Sequence, residues 1–262
     1  MYTALFFVYG LLQVGLFVWV LRLWRETREP IALLLIVPQF FLIWDNWRVA
    51  AGPLLGFGDT LYWLSWPSFW IHWFAGCWLI IAAGGMLRLA GFEFAKSKFV
   101  MAAFCLVAVA LMLHDLPNFW TQQIYPVCEY DLIRYSGSVR EATRCSPDQG
   151  LTARSEFPIA PVVTCFVVIG AGLLLWIRRG FPWMFLGALL MLISATPPFA
   201  RYKLDNLGEF LIKGGTFWAL WYFTRDKVRV SGAFGVERGV ETGVETGVAG
   251  GTGQGSVGRE LA

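Results

Sequence analysis

The residues able to carry proton chemistry are few, and they sit in unusual company. Asp45, Asn46 and Arg48 fall in the stretch FLIWDNWRV, His72 in the aromatic run WPSFWIHWF, His114 and Asp115 at the end of another apolar stretch, and Glu209 and Lys213 four residues apart in NLGEFLIKGG. An ionisable group among apolar residues is costly unless it is paired or wet, so each marks a candidate functional position. Asp45 reads as a proton donor or base, with His72, or His114 beside Asp115, as its proton partner. Asn46, Arg48, Glu209 and Lys213 supply polar contacts to a substrate. Trp44, Trp66 and Trp70 offer walls for an apolar chain and a surface for cation-π contact. The chain has only two histidines, and no pair of residues has metal-ligand spacing, so neither a metal site nor a cofactor is expected.

The elements that must hold these groups follow from composition. Of 262 residues, 57% are hydrophobic and only 15% charged, more apolar surface than one soluble core of this length uses. A soluble enzyme is excluded. The net charge of +3 comes mostly from Lys and Arg beside the apolar runs, which is the membrane pattern and excludes a nucleic-acid partner. Windows of roughly 20 apolar residues, enough to cross about 30 Å of hydrocarbon, recur near 3–23, 31–50, 61–87, 99–116, 158–177, 181–199 and 206–224. The expectation is an all-α membrane protein, a seven-transmembrane helix bundle over 1–229, placed as a multi-pass protein in a bacterial inner membrane. Trp24, Arg25, Glu26 and Thr27 follow the first window with no small-residue cleavage site, so that window reads as a retained span.

Arg22, Arg25 and Arg28 follow span one, Arg88, Lys96 and Lys98 span three, Arg178 and Arg179 span five, and Arg225, Lys227 and Arg229 span seven. With seven spans these sets share one side, which puts the N-terminus outside and the C-terminus in the cytoplasm. The long polar loop 117–157 then lies outside, where Cys128 and Cys145 can form a disulfide or remain two free thiols. Cys77, Cys105 and Cys165 read as small core residues. From about Val230 the repeats GVER, GVET and GVET lead into GVAGGTGQGS, and 230–262 is expected to be a disordered tail.

Depth links the ionisable residues. Asp45 lies roughly 22 Å along span two at 1.5 Å per residue, and His72, His114, Asp115, Glu209 and Lys213 fall in the same outer band although they belong to several helices. A polar cavity in the outer half of the bundle follows. Each residue also has a plainer reading. Glu209 with Lys213 can be an ion pair one helical turn apart, Asp45 with Arg48 a self-satisfied pair, His114 with Asp115 a helix end at the interface, and His72 a core histidine bonded to a carbonyl.

Two resemblances bear on the chemistry. FLIWDNWRVAAG (41–52), with Trp44, Asp45 and Gly52, LLGFGD (54–59), with Gly56 and Gly58, and the Pro of WPSFWIHW (66–73) resemble the membrane lycopene cyclase domain and its terpene-cyclase relatives over roughly the first 90 residues. That resemblance implies protonation-initiated cyclisation of an isoprenoid without a redox cofactor. The family's acidic pair after the Pro is replaced here by Ser68, Phe69 and His72, which leaves its proton donor unmatched. Glu209, Lys213 and Phe217 are similar to helix seven of microbial rhodopsins, which implies a retinal Schiff base on Lys213. Span three lacks the Arg and acidic counterion pattern of those proteins, and loop 117–157 is long for them.

Three functions are therefore open. The first is a membrane enzyme of cyclase or isomerase type acting on a membrane lipid or isoprenoid. The second is a ligand-binding receptor or photoreceptor anchored at Lys213 with Glu209 as counterion. The third is a small transporter or assembly subunit, which the odd span number and the lack of an inverted repeat disfavour. Protein partners are not legible.

Overall fold

The computed structural model describes residues 1–152 and 158–241, with side chains as far as Arg225. The described chain is mostly helical. In order it forms α1 (Tyr2–Thr27), α2 (Pro30–Leu55), α3 (Asp59–Trp73), α4 (Trp78–Leu89), α5 (Glu93–Lys96), α6 (Lys98–Asp115), α7 (Asn118–Thr121), β1 (Tyr125–Glu129), β2 (Leu132–Ser136), α8 (Ile159–Arg179), α9 (Trp183–Ser194), α10 (Pro197–Ala200) and α11 (Leu204–Glu241). Among the described residues five segments are long and apolar enough to cross a membrane: Tyr2–Thr27, Pro30–Leu55, Asp59–Leu89, Lys98–Thr121 and Ile159–Arg179. Trp183–Ser194 is apolar but shorter. Large apolar side chains point outward along these helices, among them Leu106, Phe166, Ile177 and Trp63, each more than half exposed. Such a surface suits hydrocarbon and not water, and the chain has the character of an integral membrane protein.

The third expected span is not one continuous helix. Phe74 leaves the helical region and Ala75–Cys77 form a 3₁₀ turn between α3 and α4. Two turns before the break, Pro67 lacks the N–H that would bond the Trp63 carbonyl, and the indole Nε1 of Trp44 on α2 donates to the adjacent Leu64 carbonyl at 3.0 Å. The sixth expected span is also shorter than its window. Helix α9 stops at Ser194, where Thr196, Pro197 and Pro198 follow and proline cannot continue it.

The core of residues 1–225 runs through α1, α2, α4, α8, α9 and α11, built on Leu35, Met86, Val168, Leu175, Met184 and Phe217. Close approach of α9 to α11 depends on missing side chains: a Cβ on Gly187 would lie 2.4 Å from the Leu211 carbonyl oxygen, and one on Gly215 would lie 2.4 Å from that of Trp183. This contact fixes the rotation of α11 and hence which way Glu209 and Lys213 face.

Part of the expected outer loop is an antiparallel hairpin in which Tyr125 pairs with Ser136 and Glu129 with Leu132. Two strands alone are marginal, and this pair is held from several sides. Cys128 and Cys145 are joined by a disulfide. Asp131, in the two-residue turn, accepts from the N-terminal ammonium of Met1 and from the backbone N–H groups of Tyr2 at 2.9 Å and Thr3 at 3.1 Å. The ammonium, followed by those amides, holds the Asp131 carboxyl well below the usual carboxylate range. Gly52 lets α2 abut the Ile133 carbonyl, and Lys203, just before α11, is ion-paired to Glu129. The hairpin therefore closes one end of the bundle, called here the hairpin end. At the opposite end, Arg179 Nη2 donates to the Gly91 carbonyl at 3.1 Å.

The compact unit ends at Arg225. The α11 backbone is helical as far as Glu241, beyond the Val230 boundary expected for the tail, and 242–262 lie outside the described residues.

Candidate functional site

Asp45 and Arg48 sit three residues apart on one face of α2, with Arg48 Nη2 2.8 Å from Asp45 Oδ1. Their side chains are 15% and 6% exposed, so this is an ion pair shielded from water. The guanidinium is also tied to α3, since Nη1 lies 3.2 Å from Ser65 Oγ, which in turn donates to the Leu61 carbonyl at 2.7 Å. On α3, one turn apart, the Ser68 hydroxyl lies near Asp45 and His72 is within electrostatic reach of it. Ser68 is buried and His72 is exposed.

Helix α11 contributes from across the bundle. Glu209 is within electrostatic reach of Asp45, Asp205 and Lys213. Lys213 is buried at 3% exposure, beside Glu209 and Cys165. The pairing expected for a simple i,i+4 salt bridge does not form: Glu209 Oε2 and Lys213 Nζ both lack a hydrogen-bond partner among the described residues. Buried polar atoms in folded proteins are nearly always satisfied by protein, water or ligand, so these two are poised for a third party.

Above this centre the hairpin supplies a charged roof. Arg134 on β2 lies 3.5 Å from Glu129 and within electrostatic reach of Arg48, Asp45 and Asp205. Burial pulls the Arg134 guanidinium below its ordinary range, opposed chiefly by Glu129. Asp45, Glu129, Asp205 and Glu209 face Arg48, Arg134, Lys203 and Lys213 in this connected region, so the two signs balance. Charges removed from water are tolerable when opposite signs share a site in this way.

The aromatic residues take separate places. Trp66 lies between Tyr62 and Phe69, with centroids 6.3 and 6.1 Å away, and Trp70 stacks on Phe119 at 5.6 Å. Both indole Nε1 atoms are buried without a hydrogen-bond partner among the described residues. Trp44 is committed to Leu64, as described above. Asn46 turns back onto its own helix, donating from Nδ2 to the Leu42 carbonyl at 2.8 Å, while its Oδ1 lacks a partner among the described residues.

The structure thus gathers Asp45, Arg48, His72, Glu209 and Lys213 and places His114 with Asp115 elsewhere. His114 Nδ1 lies 2.8 Å from Asp115 Oδ1 at the end of α6, and Asp115 acts electrostatically on Cys77, which Thr164 also approaches. The residues that sequence reasoning missed are Arg134, Glu129 and Ser65. Arg134 and Glu129 carry no sign of their role in a polar loop, because only the fold lays the hairpin over α2. Ser65 was readable in part, since it precedes Ser68 and His72 at helical spacings of three and seven. Among the described residues no cluster of three or more His, Cys, Asp or Glu could hold a metal ion.

No protein-family model, curated protein or solved structure matches this chain significantly.

Proposed function

We propose that this chain is a membrane-embedded enzyme that performs acid–base chemistry of the cyclase or isomerase type on a lipid or isoprenoid. Seven spans, with the hairpin end outside and the arginine-rich end in the cytoplasm of a bacterial inner membrane, form its frame. One observation carries the reading: Asp45 and Glu209, from two helices, share a polar centre beneath the hairpin with His72 of a third helix within electrostatic reach, and polar atoms on Glu209 and Lys213 lack hydrogen-bond partners among the described residues.

The chemistry follows from those positions. Arg48, held by Ser65, fixes the orientation of Asp45, so the carboxylate meets a substrate in one geometry. Asp45 gives or takes the proton, with His72 as its proton partner. Trp66 and Trp70 on α3 would give an apolar chain burial and a developing cation a π face. In the terpene-cyclase resemblance of residues 1–90 the proton would start a cyclisation, and Lys213 with Glu209 would contact a polar group on the substrate. Mass spectrometry with isomer separation, on lipids from cells expressing the wild type or Asp45→Asn, tests this. A species made only with the wild type supports it, and identical profiles from cells with equal amounts of folded protein contradict it.

A second reading is favoured by a single atom. The amine of Lys213, buried and without a hydrogen-bond partner among the described residues, suits a carbonyl ligand held as a Schiff base with Glu209 beside it. Borohydride trapping of retinal on the wild type but not on Lys213→Met would support that reading, and no trapping would remove it.

A further inference from the structure

At the end of the bundle opposite the hairpin, two arginines stand over an open cavity without a carboxylate to pair with. Helix α8 has 21 residues and ends in Arg178 and Arg179, after which Gly180 turns into the left-handed region at φ 66°. At 1.5 Å per residue such a helix spans roughly the 30 Å of a bilayer's hydrocarbon, so both arginines fall at the depth of the lipid headgroups. Gly91, with φ 78°, seats Arg179 from the turn after α4. The guanidinium donates from Nη2 to the Gly91 carbonyl at 3.1 Å, and a Cβ on Gly91 would lie 3.1 Å from the same nitrogen. It also lies 5.4 Å from the centroid of the Phe92 ring. These contacts fix the group and leave it N–H donors for an anion. Arg178 is exposed and ion-paired to no described residue.

The two arginines share a cavity of about 390 Å³ with Phe92, Glu93, Phe94 and Leu174. Its one lining carboxylate is already committed, since Glu93 Oε1 lies 2.7 Å from Lys96 Nζ. The positive charge of Arg178 and Arg179 is therefore unmatched there. The rest of the lining is apolar and open. Leu174 precedes Arg178 by four residues, so it shares that face of α8 about 6 Å deeper along the helix. Leu174 and Phe94 are both exposed, as are Trp176 and Ile177 on the last two turns of α8. A soluble anion would use only the charged mouth of such a cavity. A ligand with an anionic head and an aliphatic body uses the mouth and the wall together.

We infer that this cavity is a binding site for one anionic phospholipid, with its phosphate on Arg178 and Arg179 and an acyl chain against Leu174 and Phe94. Arg179 arrives already oriented by Gly91 and Phe92, so little of its freedom remains to be lost on binding. The inference needs α8 to span the membrane and does not depend on the enzymatic reading of the Asp45 centre.

Native mass spectrometry of the full-length protein in detergent, titrated with phosphatidylglycerol or with phosphatidylcholine of the same acyl chains, tests this. The wild type should bind phosphatidylglycerol about tenfold more tightly. Arg178→Gln combined with Arg179→Gln should remove that preference while binding of phosphatidylcholine, which reports an intact apolar surface, stays unchanged. Arg22→Gln combined with Arg25→Gln takes the same charge from α1 at the same end and should keep the preference. Equal affinity of the wild type for the two lipids would overturn the site. Loss of the preference in the Arg22 and Arg25 variant would overturn it too, because total charge and not this cavity would then select the lipid. Inorganic phosphate should not displace phosphatidylglycerol at equal concentration, since it gains nothing from Leu174 and Phe94; displacement would overturn the lipid as occupant and leave a site for a soluble anion.

Discussion

At the residue scale the centre is built on an ion pair that is costly to break and cheap to replace. Removing Arg48 leaves the Asp45 carboxylate shielded and uncompensated, so Arg48→Met should destabilise the protein by about 3–5 kcal/mol. Asp45→Asn combined with Arg48→Met should recover most of that loss, because no charge is then stranded. Thermal unfolding in one detergent across the two single variants and the double variant measures this. An additive double variant would show that the two side chains do not act as a unit. The pair itself was legible as DNWR at helical spacing, and so was its depth, which follows from rise per residue. Its partners were not. Rotation about each helix axis decides whether Glu209 or His114 meets Asp45, and that rotation is set by contacts such as Gly215 against Trp183, which no single helix reveals.

At the element scale the hairpin is the part least legible in the sequence, where 117–157 shows only a polar loop with two cysteines that can pair or stay free. Alternation in YPVCE and LIRYS is too short to announce a strand pair, and it is the tethers to α1, α2 and Lys203 that make the pair stable. Asp131 gives that docking a pH dependence with a defined sign. Its carboxyl is held low in the folded state, so its contribution is fully present above the ordinary carboxylate value of about 4 and fades as pH falls below it. Hydrogen exchange at the amides of 125–136 should lose protection on acidification beyond the intrinsic rate change, and Asp131→Asn should show the weaker protection already at neutral pH. Equal protection in Asp131→Asn and wild type would mean that the disulfide and Glu129 hold the hairpin without it. The interruption at Phe74–Cys77 was hidden for a related reason: the run FWIHWFAGCWLII is apolar throughout, and periodicity cannot show where such a run stops being one helix.

At the scale of the whole molecule, composition alone carried the membrane reading, and the exposed apolar faces of α6 and α8 agree with it. The structure adds that Met1, the hairpin and Lys203 meet at one end, while Gly91 and Arg179 meet at the other. A seven-span frame with the hairpin outside places Asp59 and Lys96 on opposite faces of the membrane. In intact cells an impermeant thiol reagent should label Asp59→Cys and spare Lys96→Cys; the opposite pattern would invert the orientation, and labelling of both would break the span count. The reaction proposed for the Asp45 centre moves a proton onto or off a lipid or isoprenoid. Cells expressing wild type or Asp45→Asn, grown in deuterated water with unlabelled lipid precursor, test it most directly. A lipid or isoprenoid species that appears only with wild type and carries solvent deuterium is the predicted result, and a species made equally well by Asp45→Asn, or none at all, would contradict it.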